Sequence, residues 1–228
     1  MTACLRALVA LLAAALLLTG CSFDVYKLPL PGGPDVGSDP ITVTAQFRDV
    51  LDKKAGNQAA RRGLASALIS MGQPELAERQ LEAALLADGH DYRTLNAYGV
   101  VLDMMGRHAE AQAKYRQGIE LAPEYIPLRS NYGLSLAISG QAQEAIAQLA
   151  PLAASRAADG RVRQNLALAY AMNGDLESCL QISRKDLDEQ SAQRQLSYFM
   201  QIRALPVEAR SAELRRNPNF FPQSSGGA

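Results

Sequence analysis

The sequence contains few of the side chains on which metal and thiol chemistry depend. Its 228 residues include three cysteines, two histidines and no tryptophan. Zinc sites and disulfide frameworks need several such residues at fixed spacings, so both are disfavoured. The 23 basic and 23 acidic side chains cancel to zero formal net charge, which leaves no excess of lysine and arginine to attract nucleic acid. We therefore expect no metal, no cofactor and no nucleic-acid partner.

The chain also lacks an apolar run long enough to cross a bilayer as a helix. Its longest run near the start, residues 7–18, follows the single cation Arg6. Twelve helical residues extend about 18 Å, whereas the hydrocarbon core of a membrane is roughly 30 Å thick. A short apolar run after a cation is typical of a secretory signal peptide, which we place at residues 1–20.

The segment Leu18-Thr19-Gly20-Cys21 ends this run. It resembles the bacterial lipobox, whose cysteine becomes the lipidated first residue of the mature protein. We expect acyl chains, palmitate among them, on Cys21, because several chains together anchor a protein stably. In bacterial lipoproteins a serine such as Ser22 after the cysteine implies release to the outer membrane, with the folded part facing the periplasm. An ordinary secreted protein with an incidental Cys21 is the alternative.

Four prolines and three glycines lie between residues 22 and 40. This composition favours an extended chain, so we expect residues 21–40 to form a lipidated tether. Removal of Cys4 and acylation of Cys21 would leave Cys179 as the one remaining thiol. Folding of the mature chain must then depend on packing rather than on an internal disulfide.

A period of 34 residues runs through the rest of the chain. It links Gly72, Gly106, Gly140 and Gly174, and also Ala77, Ala111, Ala145 and Cys179. This is the period of the tetratricopeptide helix-turn-helix unit, and residues 92–125 carry its pattern most fully. We expect four antiparallel helix pairs over residues 58–193, divided as 58–91, 92–125, 126–159 and 160–193. One pair cannot bury its own apolar face, so the predicted fold is an all-α, right-handed tetratricopeptide solenoid.

Further helices are expected on either side of the repeats. Phe47 and Leu51 occupy places equivalent to Tyr115 and Ile119, which predicts an N-terminal capping helix within residues 41–57. A helical apolar stripe that ends before Pro206 indicates a C-terminal cap, and we assign residues 189–216 to capping helices. Residues 217–228 are expected to be a disordered tail.

Five residues depart from the repeat pattern or carry reactive groups. Pro151 falls inside a predicted helix, where it should kink or break it. Asp186 replaces a small or apolar residue of the fourth unit. His90 and His108 have no partner at ligand spacing, so both are expected at the surface. Cys179 occupies an alanine column, which predicts a small buried thiol rather than a nucleophile.

The second, sixth, ninth and thirteenth positions of each first helix share one face, which lines the concave groove of tetratricopeptide arrays. The groove so defined has an apolar centre, suited to an amphipathic helix or an apolar peptide. The predicted partner-binding residues are Arg93, Val100, Met104, Asn131, Leu134, Ile138, Arg161, Asn165, Leu168 and Met172. The alternative is that these residues pack against neighbouring helices and that the asparagines satisfy local backbone groups.

An enzyme is not indicated by any motif. The chain has no glycine-rich phosphate loop and no nucleophile elbow. A carboxylate-pair enzyme of the cell envelope would need converging carboxylates in a closed pocket.

Three segments together carry a resemblance to one family: LDMMGRHAEAQAKYRQGIELAP, NYGLSLAISGQAQEAI and RQNLALAYAMNGDLESCLQISRKDL. With the lipobox and the proline-rich tether, the chain resembles the TadD-type tetratricopeptide lipoproteins of tight-adherence (Tad/Flp) pilus assembly systems, over roughly residues 58–205. The resemblance implies a pilotin-like role, in which the groove binds a helical segment of a secretin or another pilus secretion component. The alternative is a general adaptor lipoprotein for cell-wall synthesis or outer-membrane protein assembly.

Overall fold

The structure, a computed structural model, describes residues 39–217. The predicted signal peptide, Cys21, most of the predicted tether and residues 218–228 of the predicted tail lie outside these residues. The described part of the chain forms eleven α-helices. In chain order they are α1 (Pro40–Lys53), α2 (Gln58–Ser70), α3 (Pro74–Ala87), α4 (Tyr92–Met104), α5 (His108–Leu121), α6 (Ile126–Ile138), α7 (Ala142–Ala154), α8 (Gly160–Asn173), α9 (Leu176–Ser183), α10 (Glu189–Ala204) and α11 (Val207–Arg216).

The helices stack in pairs along the chain. Helices α2 and α3, α4 and α5, α6 and α7, and α8 and α9 pack within one unit, and the second helix of each unit packs against the first helix of the next. The first helices α2, α4, α6 and α8 also contact one another in sequence. Over residues 39–217 the second helices make no such contacts with one another, so the array curves with its first helices on the inner side. The predicted all-α tetratricopeptide solenoid is confirmed.

Glycine closes the turn between the two helices of every unit. Gly72, Gly106, Gly140 and Gly174 have φ values of +68°, +77°, +92° and +89°. At the second turn the Arg107 N–H donates to the Leu102 carbonyl at 2.9 Å and the Gly106 N–H donates to the Asp103 carbonyl at 3.0 Å. This pairing ends the helix with a residue in the left-handed region, where a side chain would be strained. Each glycine of the 34-residue column therefore lies at the turn between the two helices of its unit.

Close helix packing depends on a second set of glycines. A Cβ atom on Gly99 would lie 2.4 Å from the Tyr115 ring, and one on Gly133 would lie 2.4 Å from Leu149 Cγ. Both contacts join the two helices of one unit. At the start of the array the ring of Phe47 on α1 covers Gly63 on α2 in the same way, with 2.1 Å to a Cβ at that position. Large side chains therefore fill the space that the missing Cβ atoms leave.

Pro151 and Asp186 depart from the repeat pattern in the third and fourth units. Helix α7 continues through Pro151 to Ala154, so the predicted break at this proline is wrong. Pro151 is exposed and lies in the last turn, where few backbone bonds remain to be lost. Helix α9 ends at Ser183, and Asp186 beyond it accepts two hydrogen bonds from the Arg163 guanidinium, at 2.7 Å and 2.5 Å.

Cys179 is a free thiol that is fully buried on α9. Burial raises the pKa of this thiol to about 11, so it carries little thiolate at neutral pH. The predicted small buried cysteine is confirmed. None of the helices between residues 39 and 217 combines the length and the apolar character that crossing a membrane requires.

The glycine contact at Tyr115 provides a test of the packing. We expect Gly99→Ala to lower the free energy of unfolding by about 1–3 kcal/mol, because the added methyl group overlaps a buried ring. Helix propensity alone would change stability in the opposite direction by about 1 kcal/mol. Urea unfolding followed by circular dichroism measures the change. The control is Gly56→Ala, since a Cβ at Gly56 meets no atom within 4 Å; a stabilised Gly99→Ala protein would contradict the packing argument.

Candidate protein-binding surface

Three of the four inner helices, α4, α6 and α8, carry all ten predicted partner-binding residues. Seven of these residues are buried, namely Val100, Met104, Asn131, Leu134, Ile138, Asn165 and Leu168. Arg161 and Met172 are half-buried, and Arg93 is exposed. The inner surface is therefore more closed than an empty groove, and three of the ten side chains are accessible to a partner.

The buried asparagines connect neighbouring inner helices. Asn131 Nδ2 donates to Asn96 Oδ1 at 2.9 Å, which joins α6 to α4. Asn165 Nδ2 donates to Ser130 Oγ at 3.0 Å and lies 3.3 Å from the Ser130 carbonyl, which joins α8 to α6. Buried amides need such partners. These two side chains join neighbouring inner helices, so their partners lie 35 residues away and are not the local backbone groups considered as the alternative.

Two of the three accessible residues, Arg93 and Arg161, lie at the N-terminal ends of inner helices, whereas Met172 lies at the C-terminal end of α8. The guanidinium of Arg93 lies over the Tyr92 ring, with 4.6 Å from Cζ to the ring centroid. The Tyr92 ring packs edge-on against the Tyr125 ring at a centroid distance of 5.0 Å. Arg161 occupies the corresponding place on α8. Arginine and tyrosine at an accessible edge are the side chains most enriched in protein interfaces.

The C-terminal ends of α4 and α6 are covered by α11. This helix packs against α4 and α6 as well as against α10. Arg210 Nη1 donates to the Ile138 carbonyl at 3.1 Å, and Arg215 Nη1 donates to the Met104 carbonyl. Leu214 is fully buried in this contact region and Ser211 nearly so. The inner surface thus has an occupant from its own chain, which sequence reasoning missed.

The two carbonyls that α11 contacts are equivalent in the repeat. Met104 and Ile138 are the last residues of α4 and α6 and lie 34 positions apart. The final carbonyls of a helix lack donors within the helix and carry partial negative charge, so a guanidinium is well suited to them. A third arginine, Arg203 at the end of α10, lies beside Gly174 just after α8, with Nη2 3.1 Å from the position of a Cβ there. Arginines therefore lie at the ends of three successive inner helices.

A buried carboxylate joins the second and third units beneath α11. Asp103 is 3% exposed. It accepts from Ser135 Oγ at 2.7 Å and from Tyr115 OH at 3.0 Å, and its Oδ1 lies 2.7 Å from His108 Nδ1. Burial raises the pKa of Asp103, although these hydrogen bonds act in the opposite direction. Over the described residues, every buried side-chain nitrogen or oxygen has a hydrogen-bond partner.

The same network reaches α11 through His108. Its Nε2 lies 3.3 Å from Ser211 Oγ, so serine, histidine and aspartate are arranged in the order used by serine hydrolases. All three side chains are buried, which denies a substrate access to the Ser211 hydroxyl. Movement of α11 to admit a substrate would separate Ser211 from His108. We therefore interpret the arrangement as a structural contact between α11 and the array.

The surface position expected for His108 is wrong, because this side chain is 7% exposed. The sequence signal that was missed is Asp103, five residues earlier and across the turn at Gly106. Two helices joined by such a turn bring these side chains together. His90 is exposed, as expected.

Comparison with known proteins supports the fold. Two sequence profiles of the tetratricopeptide repeat match residues 44–97 and 92–125. Residues 44–125 therefore carry the tetratricopeptide repeat in sequence, in agreement with the solenoid of the structure. Arrays of such repeats form concave surfaces that bind other proteins.

Several solved structures share the fold at less than 25% identity, a level that shows the fold alone. TTC0263 of Thermus thermophilus is 17% identical, with 71% of this chain and 91% of that chain covered and a TM-score of 0.62. PilF of Pseudomonas aeruginosa is 17% identical, with 80% and 85% covered and a TM-score of 0.58. YrrB, described as a TPR protein with an unusual peptide-binding site, is 20% identical, with 71% and 84% covered and a TM-score of 0.54.

Two curated proteins are similar in sequence over part of their length. The uncharacterized protein y4yS of Sinorhizobium fredii is 39% identical over 98 residues, which are 43% of this chain and 54% of that protein. The TPR repeat-containing thioredoxin TTL4 of Arabidopsis thaliana is 33% identical over 92 residues, 40% of this chain and 14% of that protein. The matched region thus spans about half of the first relative and a small part of the second.

The raised pKa of Asp103 can be tested by measuring stability as a function of pH. Because burial raises the pKa of Asp103 above its ordinary value of 3.8, the folded chain binds this proton more tightly than the unfolded chain does. The stabilising contribution is therefore full below pH 3.8 and is lost as the pH rises through the folded pKa. As the pH rises through that range, we expect the free energy of unfolding of Asp103→Asn to increase relative to that of the wild type. Urea unfolding at a series of pH values measures this difference.

The control is Asp52→Asn, which removes one exposed carboxylate from α1. A stability difference between Asp103→Asn and the wild type that stays constant with pH would contradict the raised pKa.

Proposed function

We propose that this chain is an outer-membrane-anchored tetratricopeptide lipoprotein that acts as a pilotin-like assembly factor for the secretin of a Tad/Flp pilus secretion system. The proposal rests on one combination of features, a lipobox that ends at Cys21 ahead of a four-unit tetratricopeptide array. The array supplies a protein-binding scaffold, and the resemblance to TadD-type lipoproteins supplies the system. In this role the protein is not an enzyme and needs no cofactor, and the lipid on Cys21 serves as its membrane anchor.

The partner segment in this proposal is a helix that lies along the inner surface. The accessible side chains Arg93, Arg161 and Met172 would contact it directly, and the buried apolar residues beneath them would shape the wall. Helices that bind grooves of this kind use apolar side chains three and four positions apart. Methionine adapts to such side chains because its stem is flexible and polarisable.

The lipid anchor would restrict the array to the membrane in which the secretin assembles. The eighteen residues between Cys21 and the start of α1 could reach about 60 Å when extended, so the array would act at a distance from the lipid surface. Restriction of two partners to one membrane raises their effective concentration without any new contact between them.

Replacement of the lipidated residue tests the anchor. We expect Cys21→Ser to abolish the acyl adduct and to move the protein from the membrane fraction to the soluble fraction, because no acyl chain then holds it. Secretin multimers in the outer membrane should decrease with it. Intact-mass spectrometry, fractionation and immunoblotting measure these effects, and Cys4→Ser, inside the predicted signal peptide, is the matched control.

The secretin readout also separates the two candidate functions. If Cys21→Ser releases the protein while secretin level, assembly and location stay unchanged, the pilotin role is wrong and the adaptor role in cell-wall synthesis or outer-membrane protein assembly is favoured. Pilin, secretin and secretion-ATPase genes beside this gene would favour the pilotin role.

Two accessible residues of the inner surface test partner binding. We expect the double variant Arg93→Glu/Met172→Glu to reduce copurification of the secretin at least tenfold, because it introduces two carboxylates into the proposed contact. The double variant Arg48→Glu/Met200→Glu makes the same changes at exposed positions on α1 and α10 and should retain the partner. Equal copurification by both variants, with unchanged circular dichroism, would exclude the inner surface as the binding site.

A further inference from the structure

Helix α11 is attached to the array in a different way from every repeat unit. Each unit packs against its neighbours in the chain, whereas α11 reaches back to much earlier residues. Ser211 contacts a residue 103 positions before it, and Arg215 contacts one 111 positions before it. The contacts that hold α11 therefore differ from the contacts between successive helices that build the solenoid.

The attachment of α11 buries little apolar surface. Only two of its ten residues are buried, Ser211 and Leu214, whereas four are buried on α10. The connection between the two helices is the extended dipeptide Leu205-Pro206, with ψ angles of 149° and 148°. A helix of ten residues has marginal stability in water by itself. Separation of α11 from the array is accordingly a small change that leaves the stacked units in place.

The residues that hold α11 to the array lie on one of its faces. Arg210 and Leu214 are four positions apart, as are Ser211 and Arg215, so the four side chains form a single stripe. Arg210 and Arg215 donate to the terminal carbonyls of α6 and α4, Ser211 contacts His108, and Leu214 is fully buried. Arg210 also donates to the carbonyls of Leu205 and Arg203, at the connection to α10. This stripe defines the chemistry that the C-terminal edge of the inner surface selects.

We propose that α11 occupies the C-terminal edge of the partner site in cis, and that the partner helix displaces it where the partner reaches this edge. The partner helix carries the same stripe, a basic residue followed by a small residue, then an apolar and a basic residue one turn later. Its arginines replace Arg210 and Arg215 at the carbonyls of Ile138 and Met104, where the negative ends of two helix dipoles attract them. This inference deepens the proposed function and rests on it, because it specifies what the partner segment must contain.

The first test measures the opening of α11 in the intact chain by amide hydrogen exchange. We expect the amides of residues 207–216 to exchange at least tenfold faster in the double variant Arg210→Ala/Arg215→Ala than in the wild type. Residues 92–138 should keep their protection in both proteins. The control double variant Arg194→Ala/Arg216→Ala removes two exposed arginines and should leave exchange unchanged.

The second test measures binding of a peptide with the sequence of α11 to the edge that α11 occupies. A labelled peptide of residues 206–217 should bind the Arg210→Ala/Arg215→Ala protein with a Kd at least tenfold lower than its Kd for the wild type, because the resident helix no longer competes effectively. The same peptide with both arginines replaced by alanine should not bind. Fluorescence anisotropy measures these affinities with purified full-length protein, in the absence of secretin and membrane.

The outcomes separate a displaceable helix from a permanent cap. Loss of protection in residues 92–138 of the double variant would show that α11 is an integral part of the array, and the proposal would be wrong. Equal peptide binding by both proteins, or equal binding of the alanine peptide, would also overturn it. Since neither assay contains the secretin, failure here leaves the proposed function standing, and failed copurification of the secretin leaves this result standing.

Discussion

The structure depends on one packing constraint, that a pair of helices 34 residues long cannot bury its own apolar side chains. Burial comes from stacking, and stacking at this distance requires that Gly99 and Gly133 present no side chain toward Tyr115 and Leu149. The same close approach brings the inner helices into contact and buries Val100, Leu134 and Leu168 between them. The constraint that stabilises the array therefore also decides which part of its inner surface stays accessible.

That surface has two edges of different character. At the N-terminal ends of the inner helices, Arg93 is exposed and lies over the ring of Tyr92, which packs against the core together with Tyr125. At the C-terminal ends, helix carbonyls from two units require donors, and α11 supplies them through Arg210 and Arg215. A protein-binding scaffold with one edge open and the other occupied by its own chain has a means of selecting partners beyond shape alone.

The repeat units and their turns could be predicted from the sequence because the residues that form them act locally. Gly106 needs only its own backbone conformation, and Cys179 only the small space of its column. The burial of His108 and the position of α11 could not be predicted in this way. Both depend on contacts between residues far apart in the chain, and α11 has too few apolar residues to show a helical stripe. The expectation that Pro151 breaks its helix was wrong, since this proline lies in the last turn of the helix.

The two ends of the array differ in how they would respond to mechanical load. Among the described helices α1 packs against α2 alone, and it begins at Pro40, directly behind the cap formed by Asp39. Tension entering through the N-terminal segment would meet α1 first and peel the helices away one after another, which requires less force than shearing several at once. At the opposite end, tension on the C-terminal segment would first meet the hydrogen bonds that Arg210 and Arg215 donate to the array, and would separate α11 before it reached the stacked units.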